Sequence, residues 1–439
     1  MKWNGDMKIM STAAVDEASK TVLWHGGYEG KRMSIAGVKE SNQGRVIVHT
    51  PEPRDGAAKY VSELVVALRE AREDVILFCP ENFEYRDAVL AAGVEISNAP
   101  SRDVSQAGLV RRVVRNLTFM FKAARAQYKL VHRGDVVHFQ NTLHLPLGFV
   151  FYWLVSMKGG RIVLTAHDPL PHRWRFPQSM RWIEKGMLKI AYSLCDAIVV
   201  HNENGKEILL KEFQQNSERI AVIPHGPDTH AQHNSEFPEF DCLRLLAFGS
   251  IRENKGIHLA IEAVQRLCKG GGIPVRLTIA GKLYTAAEQG YWRRCEELIA
   301  AAPEPMELLV RFITDDEISP LLARHHAVIL PYLDFFSESG VAALSLSHQR
   351  PMIATPTGGL REILDMSPCG IAIKQPTVEG VEEAISKALS LGRGQLKEMG
   401  IAGDKFLQST RSWGTIAMRT CDLYDGLPAA PGRAVPVSH

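Results

Sequence analysis

The sequence predicts an α/β protein made of two doubly wound domains, and three observations carry that expectation. The chain has 439 residues, too many for one hydrophobic core and enough for two domains of ordinary size. Short runs rich in Val and Ile alternate with longer segments of helical periodicity through both halves, which is the rhythm of parallel crossover units. Between the halves, Pro227 to Asp241 is polar and broken by proline, as a linker should be. The expected organisation is an extension over 1–43, a first domain over 44–228, a linker over 229–241 and a second domain over 242–408. A helix over 409–427 would return to the first domain, ahead of a flexible tail over 428–439.

Composition narrows the class. Hydrophobic residues make up 45% and charged residues 23%, as in a soluble globular protein. A net charge of +2 gives no general attraction for nucleic acid, so none is expected as a partner. The seven cysteines (79, 195, 242, 268, 295, 369 and 421) show no CxxC pair and no histidine at zinc spacing. That pattern suits a reducing compartment and speaks against a disulfide scaffold or a structural metal. The first 43 residues contain no sustained apolar run and hence no signal-peptide core. The expected location is cytoplasmic.

In chain order, Arg45–His49 reads as the first strand, followed by a loop with Gly56 near the start of a helix. That helix, Lys59–Arg72, carries Val61, Leu64, Val65 and Leu68 at helical spacing. Val75–Cys79 is the next strand and Asp87–Ala92 a short helix. Gly108–Arg133 differs in kind: seven Lys/Arg, no acid, and interleaved Leu, Val, Phe and Met. His172–Lys189 repeats that mixture with Trp174, Phe176 and Trp182. Such segments can lie on an anionic membrane, and equally can be helices with a solvated basic face. Leu143–Met157 is apolar but too short to span a bilayer and reads as a buried helix.

Strands follow at Asp135–Gln140, Arg161–His167, Cys195–His201 and Arg219–Gly226. His167 and Asp168 form a titratable pair at the carboxyl end of a strand, where sites form in α/β sheets. In the second half, Leu243–Phe248 leads into Gly249-Ser-Ile-Arg-Glu-Asn-Lys-Gly256. Arg252 and Lys255 at that strand-to-helix turn can neutralise a diphosphate. Val275–Ala280 is another strand, ending in Gly281-Lys282. Thr314-Asp-Asp-Glu317 reads as a helix cap rather than a metal motif. Ala327–Leu330 is a buried strand, followed by a loop and a helix opening at Ser337-Glu338-Ser339-Gly340. Ser337 or Ser339 can cap that helix, and its free N–H groups suit a phosphate; an ordinary capped helix would look the same.

Taken in order, these pieces resemble the GT-B glycosyltransferases, most closely the large family-4 group of bacterial polysaccharide assembly. The matching text is LRLLAFGSIRENKGIHLAIEAVQRL, LTIAGK and FITDDEISPLLARHHAVILPYLDFFSESGVAALSLSHQRPMIATPTGGLREIL, with RIVLTAHDPLPH, DAIVVHNENGKEIL and RIAVIPHG in the first half. The resemblance implies two Rossmann-like domains facing an interdomain cleft. It implies transfer of a hexose from a GDP- or UDP-linked donor to a saccharide acceptor, lipid-linked and at the inner face of a membrane, with neither cofactor nor metal. By the same resemblance Gly249, Arg252, Lys255, Gly281, Lys282, Ser337, Ser339, Gly340 and Val341 hold the donor nucleotide. Glu338 contacts the transferred sugar, with Ser337 as the alternative alignment. His167 faces the sugar from the first domain, and Gly56 and His172 lie on the acceptor side.

Two departures stand out. The family's second glutamate is absent, its region being Leu344-Ser345, and its Gly-Gly loop is reduced to Asp55-Gly56-Ala57. A retaining enzyme needs no side-chain base, whereas an inverting one would use Asp168 or His167. Two rival readings stay open, a nucleotide-sugar epimerase of the same fold and a non-catalytic sugar-nucleotide-binding subunit.

Overall fold

The computed structural model describes residues 44–100, 109–141, 148–171, 174, 176–231, 236–270 and 274–428. The expected extension over 1–43, residues 429–439 of the expected tail, and His172 lie outside them.

The first sheet holds β1 (Val46–His49), β2 (Val75–Pro80), β3 (Glu95–Ala99), β4 (Val136–Phe139), β5 (Arg161–Thr165), β6 (Ala197–Val200) and β7 (Ile220–Val222). Their order is β3-β2-β1-β4-β5-β6-β7, every pairing parallel. The second sheet holds β8 (Leu243–Phe248), β9 (Val275–Ala280), β10 (Met306–Leu309), β11 (Ala327–Leu330), β12 (Met352–Ala354) and β13 (Gly370–Ala372). It runs β10-β9-β8-β11-β12-β13, again wholly parallel. Helices cover both faces of a parallel sheet, so the central strands are apolar on both sides. All six residues of β2 (VILFCP), for example, are buried.

The helices are α1 (Asp55–Ala71), α2 (Arg86–Ala91), α3 (Leu109–Leu130), α4 (Phe149–Met157), α5 (Arg181–Ser193), α6 (Glu203–Phe213), α7 (Ile257–Lys269), α8 (Ala286–Ala300), α9 (Asp315–Ala323), α10 (Gly340–Ser347), α11 (Gly359–Met366), α12 (Val378–Thr410) and α13 (Trp413–Asp425). Two of them open on capping boxes, Thr285 with Glu288 at α8 and Thr314 with Glu317 at α9. The acidic Thr314–Glu317 run is therefore a helix start, as its spacing predicted. The long α12 bends at Gly392, whose φ of 68° and ψ of −176° are not helical. The chain then crosses back, and Trp413, Ile416, Ala417 and Tyr424 of α13 join the core beneath α1. Trp413 Nε1 donates to the Pro227 carbonyl at 2.9 Å, which ties the return to the end of the first domain.

One expectation is corrected. Of the segment Leu143–Met157, read as a buried helix, the described part forms α4 over Phe149–Met157, and residues 142–147 lie outside the described set. Only Phe151, Tyr152 and Val155 of α4 face the core, while Phe149, Trp153 and Met157 are exposed. A helix laid on a sheet buries one stripe, so an all-apolar sequence leaves apolar residues facing outward.

Candidate active site

In each sheet the strand order reverses at one point, between β1 and β4 and between β8 and β11. Ligands bind at the carboxyl ends of strands beside such points. There the two domains enclose a cavity of about 480 Å³. The first domain contributes the start of α1 (Asp55, Gly56, Lys59, Tyr60, Glu63), Tyr85 and the segment after β7 from His225 to Asp228. The second contributes Phe248 to Ser250, Arg252, Gly281, Lys282, Arg311 to Ile313, and the opening of α10.

The second-domain wall requires glycine. Gly249 has φ of 109°, and a Cβ on Gly281 would lie 1.7 Å from the Gly249 carbonyl oxygen. The loops after β8 and β9 cross so closely that only two glycines fit, which leaves bare backbone facing the cavity. At the base of α10, Ser339 Oγ accepts from Ala342 N at 3.3 Å and caps the helix, leaving the amides of Gly340 and Val341 at the cavity wall. Such an end offers unpaired N–H groups and the positive end of the helix dipole.

Of the residues expected to hold the donor, Gly249, Arg252, Gly281, Lys282, Gly340 and Val341 line this cavity, as does Gly56. Three further expected site residues, Lys255, Ser337 and Glu338, point elsewhere. Lys255 lies with its ammonium 3.7 Å from the centroid of Tyr332 and 4.8 Å from that of Phe335. Ser337 Oγ donates to the Asp168 carboxylate across the domains. Glu338, expected at the sugar, turns from the cavity: its Oε1 accepts from Arg411 Nη1 at 2.6 Å, with both side chains nearly sealed from solvent. Its other oxygen leaves no room for a side chain at Gly359, where a Cβ would lie 1.8 Å away. The physical reason is Arg411, a buried guanidinium that needs an anion and finds Glu338.

Behind the cavity lies a group of rings in which His167 was an expected site residue and Tyr60, His201, His225 and Trp413 were not. Tyr60 packs edge-on against His167 (centroids 4.9 Å apart) and touches His201, His225 and Trp413. His201 Nδ1 lies 2.9 Å from the Ile223 carbonyl and must donate to it. With the rings neutral, His201 Nε2 is then an acceptor, so His167 Nδ1 donates to it at 2.8 Å. That leaves His167 Nε2 as a bare lone pair, without a partner among the described residues. Burial lowers His167 to about 4 and His201 well below the usual range, so both rings are neutral near pH 7. His138, one layer deeper, is lowered to about 3 by burial and sits between Tyr424 and Thr165.

On the first-domain side a polar cluster forms from residues far apart in sequence. Lys59 Nζ lies 2.8 Å from Asp228 Oδ1, His348 Nε2 lies 3.0 Å from Asp228 Oδ2, and Thr229 Oγ1 donates to Glu63 at 2.8 Å. Burial alone would raise Asp228, but His230, His348 and Lys59 outweigh it and hold the carboxylate ionised. Burial raises Glu63 to about 7, against the hydrogen bond from Thr229. Ligand atoms of Glu63, Asp228 and His230 come within 4.8 Å of one another. That spacing fits a divalent cation, but the Lys59 ammonium already supplies the positive charge beside Asp228. His201 and His225 ended expected strands and were within reach of sequence reading. Arg411, Glu63 and Asp228 carried no local signal.

Two family models match, one per domain: Glycosyltransferase Family 4 over residues 54–231 and Glycosyl transferases group 1 over residues 242–390. The chain is a family-4-like GT-B glycosyltransferase. Among solved structures, this transferase resembles Anabaena HepE in complex with UDP and glucose at 11% identity and a TM-score of 0.66, over 87% of this chain and 100% of that one. Sucrose-phosphate synthase from Thermosynechococcus elongatus is similar at 15% identity and 0.66, over 87% and 98%. WaaG, a glycosyltransferase involved in lipopolysaccharide biosynthesis, is similar at 14% identity and 0.60, over 87% and 100%. At such identities the structures report the shared fold. No curated protein matches the sequence.

Proposed function

We propose that this glycosyltransferase moves a hexose from a UDP- or GDP-linked donor to a lipid-linked saccharide, in the assembly of a polysaccharide. The observation that carries the reading is the cavity at the two switch points, with its glycine-lined wall, the opening of α10 and the cations Arg252, Lys282 and Arg311. Bare backbone, a helix N-terminus and guanidinium groups together suit a diphosphate. The complexes of HepE with UDP and glucose support a sugar nucleotide as the ligand class.

The leaving diphosphate would be stabilised by Arg252 and the α10 dipole, without a metal. Lys255 would join by leaving the faces of Tyr332 and Phe335. The sugar would lie toward the contact of Asp168 with Ser337, and His167 Nε2 would accept a hydrogen bond from one of its hydroxyls. Gly56 at the start of α1 would border the acceptor, and a Cβ there meets nothing within 4 Å.

A membrane-borne acceptor draws support from the outer surface of α3, α4 and α5. Exposed there are Val114, Leu117, Phe121, Trp153, Trp182 and Ile190, beside the basic residues Lys122, Arg125, Lys185 and Lys189. Apolar side chains ringed by cations complement an anionic bilayer. Among the described residues no helix is long and apolar enough to cross a membrane.

The test is turnover of UDP- and GDP-hexoses with and without lipid-linked saccharides extracted from membranes. Transfer that requires the acceptor and survives EDTA is expected, and NMR of the product anomer then assigns retention or inversion. Interconversion of the nucleotide sugar with no acceptor would instead support an epimerase.

A further inference from the structure

Resting on the reading of the cavity as a diphosphate site, we propose that His225 is a further ligand of that diphosphate. It would bind as an imidazolium and so take up a proton as the nucleotide enters. His225 follows β7 and lines the cavity together with Gly340 and Val341 at the start of α10. Its Nδ1 lies 2.7 Å from the Gly226 carbonyl, an acceptor, so that nitrogen carries a hydrogen. The open nitrogen is Nε2, which lies 4.0 Å from the position a Cβ on Gly340 would occupy. The imidazole Nε2 therefore lies beside the helix start whose amides are unpaired, on the same cavity wall. In the neutral ring Nε2 is a lone pair and would repel a phosphate oxygen. In the protonated ring it is a donor, and with the amides of Gly340 and Val341 it forms a cradle for one anionic oxygen.

The surroundings explain why the proton should arrive with the ligand. Facing His225 are Tyr60 on α1, His167 after β5, His201 after β6, Glu338 before α10 and Arg411 before α13, with the Trp413 ring beside them. Glu338 and Arg411 are paired with each other, so their opposite effects on His225 largely offset. His167 and His201 are neutral near pH 7. Burial is then the leading influence and holds His225 below its ordinary range in the free protein. A bound diphosphate would reverse that balance, because an opposite charge within hydrogen-bonding distance favours the imidazolium. The proton comes from solvent, and no bond in the nucleotide is made or broken. The affinity for nucleoside diphosphate should therefore fall as pH rises above neutrality.

Calorimetric titration of the full chain with UDP and with GDP, in buffers of different ionisation enthalpy near pH 7.5, counts the protons taken up. Wild type should take up close to one proton more than His225→Gln. The variant should bind on the order of tenfold more weakly, as expected for a lost charge-assisted contact. Arg252→Ala should lose affinity yet keep the proton uptake, which separates the two contacts. Wild-type Kd should rise by up to about tenfold per pH unit through the window in which the bound imidazole alone is charged, with a flatter profile for the variant. Should His225→Gln fail to fold by circular dichroism, His225→Asn and the wild-type proton count carry the test. Binding with equal proton uptake in wild type and variant, or with none in wild type, overturns the proposal. Absence of binding to either nucleotide overturns the diphosphate reading itself and His225 with it.

Discussion

Arg411 is a charge buried where the chain crosses back between domains, and its position is stabilised by one carboxylate. Because Glu338 lies directly before the cap of α10, their 2.6 Å contact sets where the helix start points. Removing one partner of a buried pair typically costs about 3–5 kcal/mol, since the other charge is left uncompensated. Arg411→Met should therefore lower the urea midpoint strongly, and adding Glu338→Gln should recover most of the loss. A single variant as stable as wild type would refute the pairing. The buried histidines give a second residue-scale prediction. His138 and His167 titrate near 3 and 4 in the folded protein, below the unfolded value near 6.5. Below pH 6.5 the unfolded chain binds protons that the native rings refuse, so stability is fully present above that pH and is lost as pH falls toward 4. The slope should reach about 1.4 kcal/mol per pH unit for each such histidine. His138→Gln should make the fall shallower in urea titrations between pH 7 and 5, and an unchanged slope would contradict this.

At the scale of elements, the loop after β8 is held by Gly256. Its φ is 62°, and a Cβ there would lie 1.9 Å from the Pro331 carbonyl oxygen. Gly256→Ala must displace the turn carrying Arg252 and Lys255, at a cost of at least about 2 kcal/mol in stability. Thermal melting should show that loss together with weaker nucleotide binding. The outer faces of α3 and α5 carry the membrane prediction. Phe121 and Trp182 are each 71% exposed, and each neighbouring Lys or Arg near an anionic surface contributes about 1 kcal/mol. The protein should sediment with anionic vesicles and release at high salt, because screening acts within a Debye length. Phe121→Ser with Trp182→Ser should weaken that binding. Equal binding to neutral and anionic vesicles, or none to either, would return both helices to the reading of solvated faces.

For the whole molecule, the two parallel sheets were legible in the sequence because strands buried on both faces are written as continuous apolar runs, such as VILF in β2 and AVIL in β11. The edge strands β3 and β13 were not, since half-exposed residues such as Glu95 and Asn98 break that pattern. The glycines and Arg252 of the cavity were legible because each sits where a strand turns into a helix. That His167 and His201 would meet in one ring group, and that Lys59, Asp228 and Glu63 would form a cluster, was hidden, because their members lie on separate elements and meet only in three dimensions. The direction of Glu338 was hidden for the same reason, its partner Arg411 being 73 positions away. In the proposed function the cavity between the sheets receives the diphosphate of a sugar nucleotide. The direct measurement is calorimetric titration of wild type and Arg252→Ala with UDP and GDP. At least one of them should bind wild type, and the variant should bind it roughly tenfold or more weakly, as expected for a charge-assisted phosphate contact of about 1.5–3 kcal/mol. Binding of equal strength to both proteins, or to neither, would contradict it.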